Sequence, residues 1–579
     1  MQEAEVVLGV LRERGRKGLP FTQLYRQMFN KDLYLLAYGN IYSNQGAMTP
    51  GASEETADGM SEDKIDQIIE AMRHERYRFS PARRVYIPKK NGKLRPLGLP
   101  SWSDKLVGEV VRLLLEAIYE PRFSDQSHGF RKGRGCHTAL REIRETWTGT
   151  VWFIEGDISD CFGSFDHEVL LGKLAEKIHD QRFLRLIRHM LKAGYLEDWD
   201  YRDTLSGVPQ GGVVSPILSN IYLDKLDKFV EQELIPQYTR GALRAANPAY
   251  RQVDALLRRA RRRGDRAQGR SLALQMRRLP STDPMDPGYR RLRYVRYADD
   301  HLLGFTGPRA EAEEIKARLA AFLRETLGLE LNAAKTLITH ARTQRARFLG
   351  YDITVQHSST KITKNRRSVN GRIALRVPPD VVKAQCARYR QHGKPWHRAR
   401  LQNLDDYDII RVYGAEYRGV VNYYLLAQDV WRLRTLRWHA ETSMLKTLAH
   451  QAQVHRHQDG RPPPGEGHHQ RRTQDLLRGQ TEAEGQARPG STIRRDHPAA
   501  RPAGGHHRPR PGPGPRPPQG AAHAAPQTGM RAVRDRRHGG SPPGHRPQPT
   551  RKTRTGPARV GRPHGQDAAQ DAHRLRAVP

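Results

Sequence analysis

The chain has 579 residues, enough for several folded units, and carries 99 Lys and Arg against 62 Asp and Glu. Its formal charge of +37 points to a polyanionic partner, most simply nucleic acid, although a ribosomal or membrane-surface protein would share that bias. Three widely spaced cysteines exclude a disulfide framework and a cysteine-pair zinc site, while the missing export leader and membrane-length apolar run lead us to expect a cytoplasmic protein.

Taken in chain order, residues 87–98 read as a basic hairpin around Gly92, with Lys93 and Arg95 beside the turn. Ser127-His128-Gly129-Phe130-Arg131 and Arg134 follow as a compact polar block. Residues 151–156 form an apolar strand that delivers Asp157 at its end, with Ile158, Asp160 and Phe162 just beyond. Ser206-Gly207-Val208-Pro209-Gln210-Gly211-Gly212 precedes an apolar periodic run at 213–226, the pattern of a glycine-rich turn opening a helix. Backbone amides in such a turn can approach a phosphate or a base closely. Residues 239–291 look like an insertion holding two basic helical pieces, 256–263 and 272–278, suited to phosphate contact.

Residues 292–297 and 301–305 read as two strands of a hairpin whose tip carries Tyr297-Ala298-Asp299-Asp300. Two carboxylates at one tip repel each other unless a cation lies between them. A hard divalent ion with oxygen ligands meets that need. Further on come Lys335, within Leu331-Asn332-Ala333-Ala334-Lys335-Thr336, and the short block Phe348-Leu349-Gly350-Tyr351. Residues 377–449 read as helical, with Arg and Lys beside Tyr413, Tyr417, Tyr423, Tyr424, Trp431 and Trp438, most of which are assigned to a core.

The order Asp157, then Gln210-Gly211, then Asp299-Asp300 resembles a reverse transcriptase. The blocks at 44–51, 87–98 and 127–134, together with 417–424 and 431–438, are similar to the group II intron-encoded reverse transcriptase/maturase family. The resemblance runs from about residue 20 to about residue 450 and implies an α+β right-hand polymerase. Fingers and an N-terminal extension would occupy 1–145, the palm 146–355, and a helical thumb or maturase region 356–450. It further implies an RNA-directed DNA polymerase that works by two-metal nucleotidyl transfer and binds its intron RNA to assist splicing and mobility. Its partners would be intron RNA, an RNA template, a DNA primer or target, and dNTPs, in a cytoplasmic ribonucleoprotein of undetermined oligomeric state.

On the same resemblance, Asp157, Asp299 and Asp300 with the Ile158 carbonyl would hold two Mg²⁺ ions, and Lys335 would assist the leaving pyrophosphate. Lys93, Arg95, Phe162, Gln210 and Gly211 would line the nucleotide site, Phe162 excluding a 2′-hydroxyl. Arg131, Arg134, Phe348, Leu349 and Gly350 would contact RNA or primer. Two rivals stay open: a non-enzymatic RNA-binding splicing maturase, and a retron or CRISPR-linked polymerase, against which residues 418–438 argue.

Composition changes near residue 450. After Trp438 there is no Phe, Tyr or Trp, and 20 of the 38 prolines lie beyond 450. Residues 451–579 therefore read as a disordered Arg/Pro/Gly-rich tail, either a basic RNA-binding arm or the translation of a shifted frame. No HNH endonuclease pattern is visible in it.

Overall fold

The computed structural model describes residues 3–459, apart from positions 45, 89–91, 93, 198–199, 205, 208–210, 284–285, 359 and 364–365. The expectation for the tail therefore lies outside the described residues. The chain begins with α1 (Ala4–Arg16), α2 (Lys31–Ile41) and α3 (Glu62–Arg73). Side chains of Asn30 and Ser61 cap α2 and α3 by accepting from the amides of Asp32 and Lys64. The basic hairpin forms as β1 (Ala82–Pro88) and β2 (Leu94–Leu99), paired antiparallel.

The long helix α4 (Trp102–Tyr119) is apolar over most of its surface and is buried accordingly. Then come α5 (Cys136–Thr146), β3 (Trp152–Gly156), α6 (His167–Ala175), α7 (Gln181–Leu191), β4 (Tyr195–Glu197) and β5 (Asp200–Arg202). β4 joins the basic hairpin by pairing parallel with β1. The helix expected at 213–226 is α8 (Ser215–Phe229), which passes through one π turn into α9 (Ile235–Gln237). The insertion folds as two consecutive helices, α10 (Pro248–Arg262) and α11 (Arg266–Arg278). α10 buries Val253, Leu257 and Ala260, whereas α11 buries none of its residues and leaves its arginines to solvent.

The acidic hairpin is β6 (Arg291–Tyr297) and β7 (Asp300–Thr306), followed by α12 (Arg309–Leu327) and β8 (Ile338–His340). These strands build an antiparallel sheet in the order β6-β7-β3-β8. Its side chains alternate between two cores, as strand geometry requires. Ile154, Leu292, Tyr294, Leu303 and Phe305 face the core shared with α4 and α8. Phe153, Val295 and Leu302 face a second core shared with α5 and the C-terminal elements.

Those later elements are β9 (Ala346–Phe348), β10 (Tyr351–Val355), the small hairpin β11 (Ile362–Thr363) and β12 (Arg366–Arg367), and β13 (Ile373–Arg376). They continue with α13 (Pro379–Ala387), the hairpin β14 (Arg390–Gln391) and β15 (Lys394–Pro395), α14 (Asp406–Tyr423) and α15 (Arg434–Asp459). β13 pairs with β10 and β10 with β9, so one three-stranded sheet continues across residue 355. Among the described residues no helix is long and apolar enough to cross a membrane.

Candidate active site

Strand pairing brings the three carboxylates together. Gly156 of β3 lies opposite His301 of β7, so the next residue on β3, Asp157, comes level with Asp300. Tyr297 pairs with Asp300 and closes a two-residue turn of Ala298 and Asp299. Ala298 adopts φ 56°, the left-handed region that a residue with a Cβ normally avoids. On the other side of β3, the Asn332 amide donates to the Asp157 carbonyl at 2.8 Å, and the Ser159 amide to the Glu330 carbonyl at 2.8 Å. Ile158 and Leu331 thus form the non-hydrogen-bonded pair between these bonds. In that pattern the Ile158 carbonyl turns away from residues 330–332 and toward the β7 side, where Asp299 and Asp300 lie.

The electrostatics follow from crowding. Burial raises the Asp299 carboxyl above its usual range and Asp157 adds to this, opposed by the positive charges of Lys335 and Arg95. The Asp300 carboxyl is pushed up to about 7, first by burial and then by Asp299 and Asp157. Lys335 Nζ donates to Asp157 Oδ2 at 2.8 Å, and this bond raises the ammonium pKa. That ion pair is exposed on its lysine side and weakly held. The donor set is all oxygen and carries more negative charge than Lys335 neutralises, which suits a hard divalent cation. Among the described residues no three His, Cys, Asp or Glu side chains close a metal cage by themselves. Remaining ligands would have to come from backbone carbonyls, water and substrate phosphates, as Mg²⁺ prefers.

Beneath the turn lies a polar network that reading the sequence alone does not reveal. Arg296 is fully buried and binds Asp227 through two bonds, Nε to Oδ1 at 2.7 Å and Nη2 to Oδ2 at 2.6 Å. Its remaining donors reach the Ala298 carbonyl at 2.9 Å, Ser127 Oγ at 2.8 Å and Asn220 Oδ1 at 3.3 Å. Tyr294 Oη also donates to Asp227, at 2.8 Å. Asn220 Nδ2 donates to the Gly129 carbonyl at 3.0 Å. Gly129 presses against the turn so closely that a Cβ there would lie 2.3 Å from the Ala298 nitrogen. The available signal was Asn220 and Asp227, two polar residues within the apolar helix that became α8.

The other expected site residues divide. The Phe162 ring packs edge-on to Phe130 at 6.3 Å and tilts against Phe165 at 6.0 Å. Phe130 is exposed and sits at φ 56°. Gly211, at φ 110°, packs under β2, where a Cβ would meet the Gly98 carbonyl at 2.8 Å. Arg95 is exposed on β2, close enough to lower the Asp299 pKa. Lys93 and Gln210 lie outside the described residues. Asp160 is an exposed turn residue at φ 39° whose carbonyl accepts from the amides of Gly163 and Ser164.

Two expectations require correction. Arg131 does not offer a free guanidinium to RNA: it is buried, bonded to Glu120 at 2.9 Å and to the carbonyls of Ser124 at 2.5 Å and Ser127 at 2.7 Å. The Phe348 ring is a core side chain, so contact from its hairpin falls to the half-buried turn Leu349-Gly350. Arg134 is partly exposed and binds Asp125.

Residues 87–353 match the family described as reverse transcriptase (RNA-dependent DNA polymerase), and residues 381–458 match type II intron maturase. The group II intron-encoded protein LtrA of Lactococcus lactis subsp. cremoris is 43% identical over 450 residues, covering 74% of each chain. The chain belongs to the group II intron-encoded reverse transcriptase/maturase family. A 91 kDa protein in the cob intron of Schizosaccharomyces pombe is 39% identical over 441 residues, 74% of this chain and 54% of that one. Among solved structures, telomerase from Candida albicans overlays with a TM-score of 0.32 at 13% identity, over 66% of this chain and 59% of that one. Family membership identifies this protein as an RNA-directed DNA polymerase of right-hand α+β fold, and reverse transcriptases use divalent metal ions.

Proposed function

We propose that this intron-encoded reverse transcriptase copies RNA into DNA at Asp157, Asp299 and Asp300, with the Ile158 carbonyl completing the protein's share of a site for two Mg²⁺ ions. The single observation that carries this reading is the convergence of three carboxylates at the β3 end and the β6–β7 turn, with Asp300 pushed up to about 7. Bound there, Mg²⁺ would stabilise the charge developing on the attacking 3′-hydroxyl and the leaving pyrophosphate.

The chain's own residues supply position and selectivity. Arg95, together with Lys93 two positions earlier in the chain, would donate to the triphosphate. Gly211, with Gln210 before it in the chain, would line the nucleotide and template pocket. Phe162, backed by Phe130, would present a ring edge where a 2′-hydroxyl has to fit. Lys335 would release Asp157 as the ions enter and meet the pyrophosphate instead. Arg134 and the Leu349-Gly350 turn would contact template or primer, and the arginines of α10 and α11 would bind intron RNA through its phosphates. The division into fingers (1–145), palm (146–355) and thumb (356–450) is part of this reading. So is a cytoplasmic ribonucleoprotein with intron RNA that assists splicing and mobility on a DNA target.

Primer extension on an RNA template with dNTPs and Mg²⁺ tests the assignment. Asp299→Ala should reduce extension to background while leaving thermal unfolding unchanged. Extension by that variant at the parental rate would overturn the site.

A further inference from the structure

Gly156 and His301 stand opposite each other on β3 and β7, one residue before Asp157 and one after Asp300. Directly opposed residues of an antiparallel pair share a face of the sheet, and this pair sets a residue without a side chain against a ring. His301 is buried, at 1% exposure, and its Nε2, Cε1 and Cδ2 occupy the place where a Cβ on residue 156 would stand. The imidazole therefore covers the Gly156 backbone, an aromatic ring filling the space that a strand glycine leaves open. Its other edge meets the carboxylate turn, with Nδ1 3.4 Å from the Asp299 carbonyl. Nε2 makes no hydrogen bond among the described residues, so shape rather than bonding places the ring over Gly156.

Alternation along β7 puts this ring on the opposite face of the sheet from the Asp300 side chain. Asp300 shares its face with Leu302, which enters the second core, and His301 shares the other with Leu303, in the core of α4 and α8. The ring thus touches both carboxylate-bearing segments through their backbones, from behind. We propose that His301 is a positioning residue: its ring is a wedge between the end of β3 and the β6–β7 turn, and its width sets the separation of Asp157 from Asp299 and Asp300. The inference rests on the reading that these carboxylates hold the divalent ions. Ion ligands have to be held to within about 0.5 Å, and two strands carrying like charges do not hold such a spacing without a solid support.

The full-length protein with an RNA template, a DNA primer and saturating dNTPs, titrated with free Mg²⁺, provides the test. His301→Ala should raise the half-saturating Mg²⁺ concentration roughly tenfold, the lower end of what a group orienting metal ligands contributes. Template–primer affinity should stay at its parental value. His301→Phe keeps a ring over Gly156 and should restore the parental Mg²⁺ requirement. Gly156→Ala pushes the ring aside and should raise the requirement too, and adding His301→Ala to it should undo part of that rise. Mn²⁺ binding followed by electron paramagnetic resonance, without dNTPs, reads the site independently of turnover. Its Kd should rise roughly tenfold in His301→Ala and stay parental in His301→Phe. If His301→Ala does not fold, His301→Leu, which keeps the core apolar, reads the same shifts. A lower melting temperature with unchanged metal affinity, an equal defect in His301→Phe, or additive losses in the double variant would each overturn the proposal. Asp299→Ala checks the underlying reading separately. If it binds Mn²⁺ as the parent does, the carboxylate reading and the proposal both fall; if it loses Mn²⁺ while His301→Ala does not, the wedge alone is refuted.

Discussion

Two hairpin turns of this protein have the same length and are held in opposite ways. Ala298-Asp299 and Leu349-Gly350 are both two-residue turns, and each puts a residue with a Cβ into the left-handed region, at φ 56° and 45°. The carboxylate turn is fastened from below by Arg296, Asp227, Asn220 and the Gly129 backbone, all buried. The second turn is fastened by two uncharged hydroxyls, that of Tyr423, which is about one-third exposed, and that of Tyr424, a buried residue just past the end of α14. A buried charge network tolerates little movement, because breaking it strands a charge in a low dielectric. Phenol-to-carbonyl bonds near the surface can exchange with water at modest cost. On the proposed reading, the first turn would be a fixed edge for the ions and the second an adjustable edge for the nucleic acid.

The strongest way to break this contrast is Asp227→Ala. It would leave Arg296 buried without its partner and should cost about 3–5 kcal/mol of stability, measured by urea unfolding, with extension lost as the turn relaxes. An effect below about 1 kcal/mol would show that the catalytic turn does not depend on the network beneath it.

A second test uses pH. His128 lies in the buried segment along β6, its amide donating to the Arg296 carbonyl at 2.9 Å and its Nδ1 within 2.8 Å of Thr138 Oγ1. Burial, with help from Arg134 and Arg131, lowers its pKa to about 4. The unfolded chain, with a histidine pKa near 6.5, then binds more protons than the folded one between these values. Stability attributable to this residue is complete above about pH 6.5 and is lost as pH falls toward 4, at up to about 1.4 kcal/mol per pH unit. His128→Gln should reduce the slope of stability against pH in that window by up to one proton, read from urea unfolding at several pH values. An unchanged slope would remove His128 from the account.

The smallest effect is expected at the other turn. Tyr424→Phe removes one hydroxyl from the Gly350 carbonyl and should cost about 1 kcal/mol or less. A loss comparable to that of Asp227→Ala would erase the distinction between the two turns.

Much of the site is legible in the amino-acid sequence, for physical reasons. Strand alternation on both sides of Asp299-Asp300 specifies a hairpin, and an apolar strand followed by Asp157 specifies a carboxylate at a strand end. The helix at α8 and the basic hairpin around Gly92 are equally plain from apolar spacing and turn residues. Arg131 misleads because a basic residue in a polar block gives no sign of whether it faces solvent or Glu120. Phe348 misleads because burial depends on what packs over the hairpin, here the second core. The partners of Asp227 and Tyr423 are not legible along the chain because they lie 69 and 74 positions away.

The sequence by itself therefore determined the kind of protein: the order of acidic and glycine-rich motifs, the period of each strand and helix, and the positive charge that calls for a nucleic acid partner. These are properties of neighbours along the chain, and they survive without knowledge of contacts. Only the tertiary structure decided which charges are buried as fasteners and which are left for substrate. That choice depends on desolvation, and desolvation is set by residues brought together from distant parts of the chain.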